Sequence, residues 1–159
     1  MDGSFFFIYD LCMNAPTPSS QSPSITLNHI GVATNQLTQL KRLFQILGIL
    51  PGITESVPEQ GVDVHFYNLT GQAPHIEFLE VTDPEGTVAQ FIKKRGPGVH
   101  HLAFEVAAGS LDRLCDELKK EGYRLTYDAP KKGAQSMRIN FIHPATASGL
   151  LIELMEKST

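Results

Sequence analysis

The chain has 159 residues, 42% of them hydrophobic and 19% charged, with a formal net charge of −4. That is enough for one sizeable core or two small modules sharing one, and an acidic balance lacks the basic patch that nucleic-acid binding requires. No apolar run approaches the roughly 20 residues that span a bilayer, and two cysteines, Cys12 and Cys115, make no disulfide framework, so a cytoplasmic, reducing setting is expected.

Residues 1–24 read as a flexible N-terminal extension. Phe5-Phe6-Phe7-Ile8-Tyr9 is too short for a signal-peptide core and is flanked by Asp2 and Asp10 instead of basic residues. The stretch from Ala15 to Pro23, rich in Pro and Ser, has the composition of a linker. The rest, 25–159, reads as a single domain of two modules, about 25–96 and 97–159.

Residues 27–33 alternate as a strand, with Ile30 and Val32 on one face and His29, Gly31 and Ala33 on the other. Leu37, Leu40, Phe44 and Leu47 follow helical spacing, with Thr34 or Asn35 to cap the helix and Gly48 to end it. Residues 62–69 and 74–81 predict strands joined through Thr70-Gly71-Gln72, and 83–94 a helical connector ending at Gly96-Pro97-Gly98. The second half repeats the order. Residues 99–106 predict a strand, and Ser110 caps a helix with Leu111, Leu114, Cys115 and Leu118 on its buried face. Residues 124–127, 137–143 and 150–155 supply further strands. Each half is read as βαβββ, and each amphipathic helix needs a sheet face to cover.

The repeat carries chemistry. His29 and His101 each head an apolar run, and Glu77 and Glu153 each sit in an Ile-Glu-Φ-Φ segment, 48 and 52 residues downstream. Small residues flank each histidine on its own face: Gly31 and Ala33 beside His29, and Ala103 beside His101. A carboxylate set among apolar strands needs a partner, and a divalent ion bound by His29, Glu77, His101 and Glu153 would supply it. Oxygen and imidazole donors without thiolates suit Mn, Co, Ni, Fe or Zn. His100 falls on the helix-packed face by alternation and is assigned a structural role. His75 and His143 read as local hydrogen-bonding residues, and Lys131 and Lys132 as solvated loop charges.

Four segments, Pro58-Glu59-Gln60-Gly61-Val62, Thr87-Val88-Ala89-Gln90-Phe91-Ile92, Gly98-Val99-His100-His101-Leu102-Ala103-Phe104 and Phe141-Ile142-His143-Pro144 followed by Gly149 to Leu154, resemble the methylmalonyl-CoA epimerases. These belong to the vicinal oxygen chelate superfamily, with glyoxalase I, and the similarity runs from about Leu27 to Glu156. The resemblance implies an α+β fold of two tandem βαβββ modules in a cupped mixed sheet, a homodimer, and the same four metal ligands. It implies a metal-dependent epimerase that interconverts the stereoisomers of methylmalonyl-CoA, an acyl-CoA thioester, through an enolate, with Glu153 as one acid/base group. The alternatives are a lactoylglutathione lyase like glyoxalase I and a non-catalytic binding or resistance protein of the same fold.

The resemblance also leaves a gap. The resemblance to bacterial epimerases implies a glutamate three residues after the glycine of Glu-Gln-Gly, and here that position is Val64. Strand alternation would instead turn Asp63, His65 and Tyr67 towards the cleft, making His65 the missing base, while the resemblance turns Val64 inward.

Overall fold

A computed structural model describes residues 24–68 and 74–157 of the chain. The expected extension, apart from Ser24, and the Thr70-Gly71-Gln72 link lie outside the described residues. The strands are β1 (Ile25–Thr34), β2 (Pro51–Val57), β3 (Val62–Asn68), β4 (His75–Val81), β5 (Gly98–Val106), β6 (Lys131–Lys132), β7 (Met137–Ile142) and β8 (Leu151–Lys157). They form one mixed sheet in the order β2-β3-β4-β1-β5-β8-β7-β6. Three helices accompany it: α1 (Leu37–Ile46), α2 (Thr87–Arg95) and α3 (Leu111–Lys120).

The two halves meet where β1 pairs antiparallel with β5. Outward from that seam, β1 pairs parallel with β4 and β5 pairs parallel with β8. Parallel pairs need a crossover, and α1 and α3 lie within those crossovers. The sheet curls into a half-barrel. Glu55 on edge strand β2 accepts a hydrogen bond at 3.4 Å from the backbone N–H of Gln135, in the 3₁₀ turn before β7, so the two rims approach each other.

The convex face is covered by helices. Under α1, Leu37 packs with Tyr67 and Phe78, and Phe44 meets Phe78 edge-on at 4.8 Å between ring centres. Under α3, Leu111 and Cys115 pack against Phe104, Val106, Ile142 and Leu154. The concave face has its own apolar walls. Ala33, Val62, Val64 and Leu79 pack on Val88 of α2, while Ala103, Met137, Ile139, Phe141 and Met155 line the other half.

Three local expectations need correction. Residues 124–127 form no strand of the sheet; Leu125 makes only an isolated bridge to Ile142. The fully buried Asn140 side chain takes over part of the ladder there, accepting from Tyr127 N–H at 3.1 Å and donating to its carbonyl at 3.0 Å. The outer strand of that half is the two-residue β6. In the first half, the pattern gave no address for β2, whose Pro51-Gly52 start and exposed polar residues hide its alternation. Ser110 does not cap α3: its hydroxyl turns back to Ala107 O, and the Glu156 carboxylate accepts from Leu111 N–H at 3.0 Å. A buried carboxylate at a helix N-terminus satisfies an otherwise orphan donor and favours the helix dipole.

Candidate metal centre

The concave face encloses a cavity of about 590 Å³ whose floor is the β1–β5 seam. Each of the two strands carries a bulge next to its histidine. Leu27 pairs with Phe104 and His29 with Ala103, so Asn28 is the extra residue on β1. Gly31 pairs with His101 and Val32 with Val99, so His100 is the extra residue on β5. Bulges re-aim side chains, and both rows do so here.

Asn28 turns into the cavity. Its amide donates to Glu105 at 2.9 Å, and its oxygen lies 3.1 Å from His29 Nδ1. Glu77 Oε1 lies 3.2 Å from the same Nδ1. Two acceptors at Nδ1 fix the proton there and leave the His29 Nε2 lone pair facing the cavity floor. His100 does the equivalent for His101. The bulge brings its Nδ1 to 3.0 Å from His101 Nδ1 and sets its ring edge-on to Phe91 of α2. Burial pushes the His100 imidazole down to about 4, so at neutral pH it is uncharged and shares a single hydrogen bond with His101 Nδ1. Sequence alternation assigned His100 a purely structural place; the bulge makes it the orienting partner of its neighbour.

His29 Nε2 and His101 Nε2 consequently face each other at 3.0 Å, and Glu153 Oε2 lies 3.3 Å from His101 Nε2 and 3.6 Å from His29 Nε2. All three side chains are buried. Two imidazole lone pairs and a carboxylate converging on one point repel unless a cation lies between them. In a metal-free protein a proton serves. Burial pushes His29 down, but its bond to Glu153 and the charges of Glu77 and Glu153 outweigh that and raise it, whereas burial and the neighbouring imidazoles hold His101 well below the ordinary range. A divalent ion fits the same triangle. Bonds of about 2.1 Å place neighbouring donors about 3.0 Å apart at right angles and about 3.4 Å apart in a tetrahedron.

Gly31 makes room for this arrangement. A Cβ there would lie 2.2 Å from His101 Cε1 and 2.7 Å from Nε2, so the ring occupies the space of the missing side chain. Glu77 is set differently from the other three expected ligands: its carboxylate abuts His29 from the Nδ1 side. Burial raises its carboxyl to about 7, against the pull of His29 and with the added repulsion of Glu153 and Glu55.

The β3 ambiguity resolves clearly. Val64 and Phe66 line the cavity, while His65 points to the other face. There it is held between Thr54 Oγ1 at 2.9 Å and Glu80 Oε2 at 3.0 Å. Alternation misled because both faces of β3 are buried, one by α1 and one by the cavity wall. Lys131 rests on the Tyr127 ring at 4.3 Å and, like Lys132, is exposed. His143 accepts from Ala145 N–H in a local turn, and His75 lies at the start of β4 on the cavity lining. Glu55, unassigned by sequence pattern, lies on β2 opposite the cavity-lining Val64 and two residues before the cavity-lining Val57. Among the described residues no helix is long and apolar enough to cross a membrane.

Residues 28–141 match the family described as the glyoxalase/bleomycin resistance protein/dioxygenase superfamily. The chain is 32% identical over 130 residues to a mitochondrial methylmalonyl-CoA epimerase of Bos taurus, covering 80% of this chain and 72% of that one. Its fold is similar to the crystal structure of a methylmalonyl-CoA epimerase from Mycobacterium tuberculosis, with a TM-score of 0.75, 35% identity and coverage of 84% and 88%. A methylmalonyl-CoA epimerase solved in complex with methylmalonyl-CoA and NH4+ matches with a TM-score of 0.73 and 30% identity, over 86% of this chain and 97% of that one.

Proposed function

The chain belongs to the glyoxalase/bleomycin resistance protein/dioxygenase superfamily, and from that premise we propose that it is a metal-dependent epimerase interconverting the stereoisomers of methylmalonyl-CoA. The observation that carries this reading is the convergence of His29 Nε2, His101 Nε2 and Glu153 Oε2 within one cavity, in a chain about 30% identical to epimerases.

His29, His101 and Glu153 would hold a divalent ion, with Glu77, expected from the sequence as a fourth ligand, acting as the partner of His29 Nδ1. The ion, whether Co, Mn, Ni, Fe or Zn, would supply a positive charge for the oxygen that becomes an enolate. The protein's own groups do the rest. Asn28, Glu77 and His100 fix the imidazole tautomers. Leu79, Ile139 and Met155 give the cavity apolar walls, which strengthens the charge interactions beside them. Glu153 is the acid/base group next to the α carbon of the thioester. Removing that proton places charge on the thioester carbonyl, and positioned donors there lower the barrier.

The reading extends to a homodimer in a cytoplasmic setting; the exposed apolar side chains of Val99 and Leu150 support the former, and sedimentation of the purified protein tests it. The reaction is tested by incubating metal-loaded protein with methylmalonyl-CoA in deuterated water and following the α position by NMR. The expected result is solvent deuterium at that carbon together with loss of stereochemical purity. No exchange at full metal occupancy would sink the assignment, and turnover of a glutathione hemithioacetal would replace it with the lyase.

A further inference from the structure

Inversion needs a proton to leave one face of the α carbon and another to arrive on the opposite face, and Glu153 can serve only one of them. Resting on the epimerase reading above, we propose that Glu55 is the second acid/base group of this chain.

Val64, where the resemblance to bacterial epimerases implies a glutamate, lines the cavity but cannot move a proton. Its register partner on the adjacent strand is Glu55, Cα opposite Cα. Residues opposite each other in a ladder share a face and hold their Cβ atoms about 4.5–5.5 Å apart. The carboxylate missing from β3 is therefore present one strand over, on the same face. Val57, two residues beyond Glu55 on the regular part of the strand, lines the cavity, which fixes the direction of the strand face independently.

The carboxylate is also held in place. Gln135 N–H, from the opposite rim, donates to Glu55 Oε1 at 3.4 Å, and Ala134 and Gln135 themselves line the cavity. Gln135 and Ser136 both adopt left-handed backbone, with φ of 51° and 58°, at that contact. Such conformations persist where the surroundings impose them and cluster at functional sites. Glu55 is half-buried, between solvent and the cavity wall. Sheet order puts Glu55 and Glu153 on opposite sides of the β1–β5 seam, which bears the histidines. Substrate lying on that seam has one carboxylate on each side.

In one direction, the α C–H bond breaks, its electron pair enters the thioester as an enolate, and Glu153 takes the proton. The enolate then forms a new C–H bond with the proton of a protonated Glu55 on the other face. Glu153 ends with one proton more and Glu55 with one fewer, and exchange with solvent restores both. The reverse direction swaps the roles.

The test is Glu55→Gln in the metal-loaded full chain. Gln keeps an oxygen to accept from Gln135 N–H but cannot transfer a proton. Epimerisation of methylmalonyl-CoA should fall at least about 100-fold. Solvent deuterium should still enter the stereoisomer whose proton faces Glu153, and should no longer enter the other one. Epimerisation within about threefold of the parent would overturn the assignment, and so would equal loss of exchange from both stereoisomers, the signature of a merely structural role. A parent protein that does not epimerise would instead refute the epimerase reading itself.

Discussion

Replacing Gly31 with alanine tests the metal centre at its tightest point. The new Cβ would start 2.2 Å from His101 Cε1, 2.6 Å from Nδ1 and 2.7 Å from Nε2. Carbon atoms rest at about 3.5–4.0 Å, so the ring must retreat by about 1.3 Å at the least. His100 holds its Nδ1 at 3.0 Å and Phe141 stands edge-on to the ring, so the ring can retreat only by swinging into the cavity it lines, away from His100. Gly31 is not among the glycines with left-handed backbone, so alanine meets no backbone strain and the effect is confined to the ring. Ligand positions tolerate about 0.2 Å, and a shift several times larger removes His101 from the triangle. Titration calorimetry with Mn²⁺ or Co²⁺ should show affinity reduced about 100-fold or more. Overpacking should cost about 1–3 kcal/mol of stability in the metal-free protein. That cost should vanish when Gly31→Ala is combined with His101→Ala, which empties the contested space. Metal affinity within about threefold of the parent for the single variant, or a destabilisation that survives in the double variant, would refute the reasoning.

Metal uptake should depend on pH through Glu77 and His29. Burial raises the Glu77 carboxyl to about 7 and the surrounding carboxylates raise His29, yet His29 binds metal only when Nε2 is deprotonated, and a charged Glu77 behind its Nδ1 favours the ion. Protons therefore compete as pH falls, and affinity should weaken below neutrality and flatten above it. Calorimetry in buffers of different ionisation enthalpy should find between about one and two protons released per ion at about pH 6; no release would contradict the site. Away from the cavity, Glu156→Ala should destabilise the fold by about 2–3 kcal/mol, since Glu156 is 1% exposed, caps α3 through Leu111 N–H and pairs with Arg138. Arg138 keeps Asp112 as a partner at 2.9 Å, which limits the loss. Chemical denaturation measures it, and a change under about 0.5 kcal/mol would show the cap to be dispensable.

Much of the fold is legible because its strong periodicities are one-sided. The stripe of α3 and the alternation of β5 each have one apolar face, and both elements form where the pattern puts them. Legibility fails where a segment is buried twice or hardly at all. β3 carries Val62, Val64 and Phe66 on the cavity side and Tyr67 and a paired His65 on the α1 side, so alternation in polarity does not mark inside from outside. β2 is an edge strand with Gly52 at its start and little burial, and Gly61, at φ 67° and with Asp83 Cβ 2.7 Å from where its own Cβ would be, makes the turn that leads back from it. Its partner is a strand distant in pattern, and only pairing reveals it.

The metal centre was legible for a different reason: an internal repeat brings its parts to matching places. Related halves joined along β1–β5 put His29 and His101 on neighbouring strands of one seam, and β4 and β8, each parallel to its own central strand, carry Glu77 and Glu153 to that seam. What the repeat does not carry is the means of aiming. The bulges at Asn28 and His100 shift one residue each, and by doing so give His29 and His101 a hydrogen-bond partner at Nδ1 and turn their Nε2 atoms to one point. Neither bulge leaves a trace in hydrophobic alternation, since each looks like one more residue of a strand. The same holds for Glu55, whose value lies in standing opposite Val64. A site of this kind is written in sequence as far as its ligands go, while their orientation and the second proton carrier depend on which residues the register sets side by side.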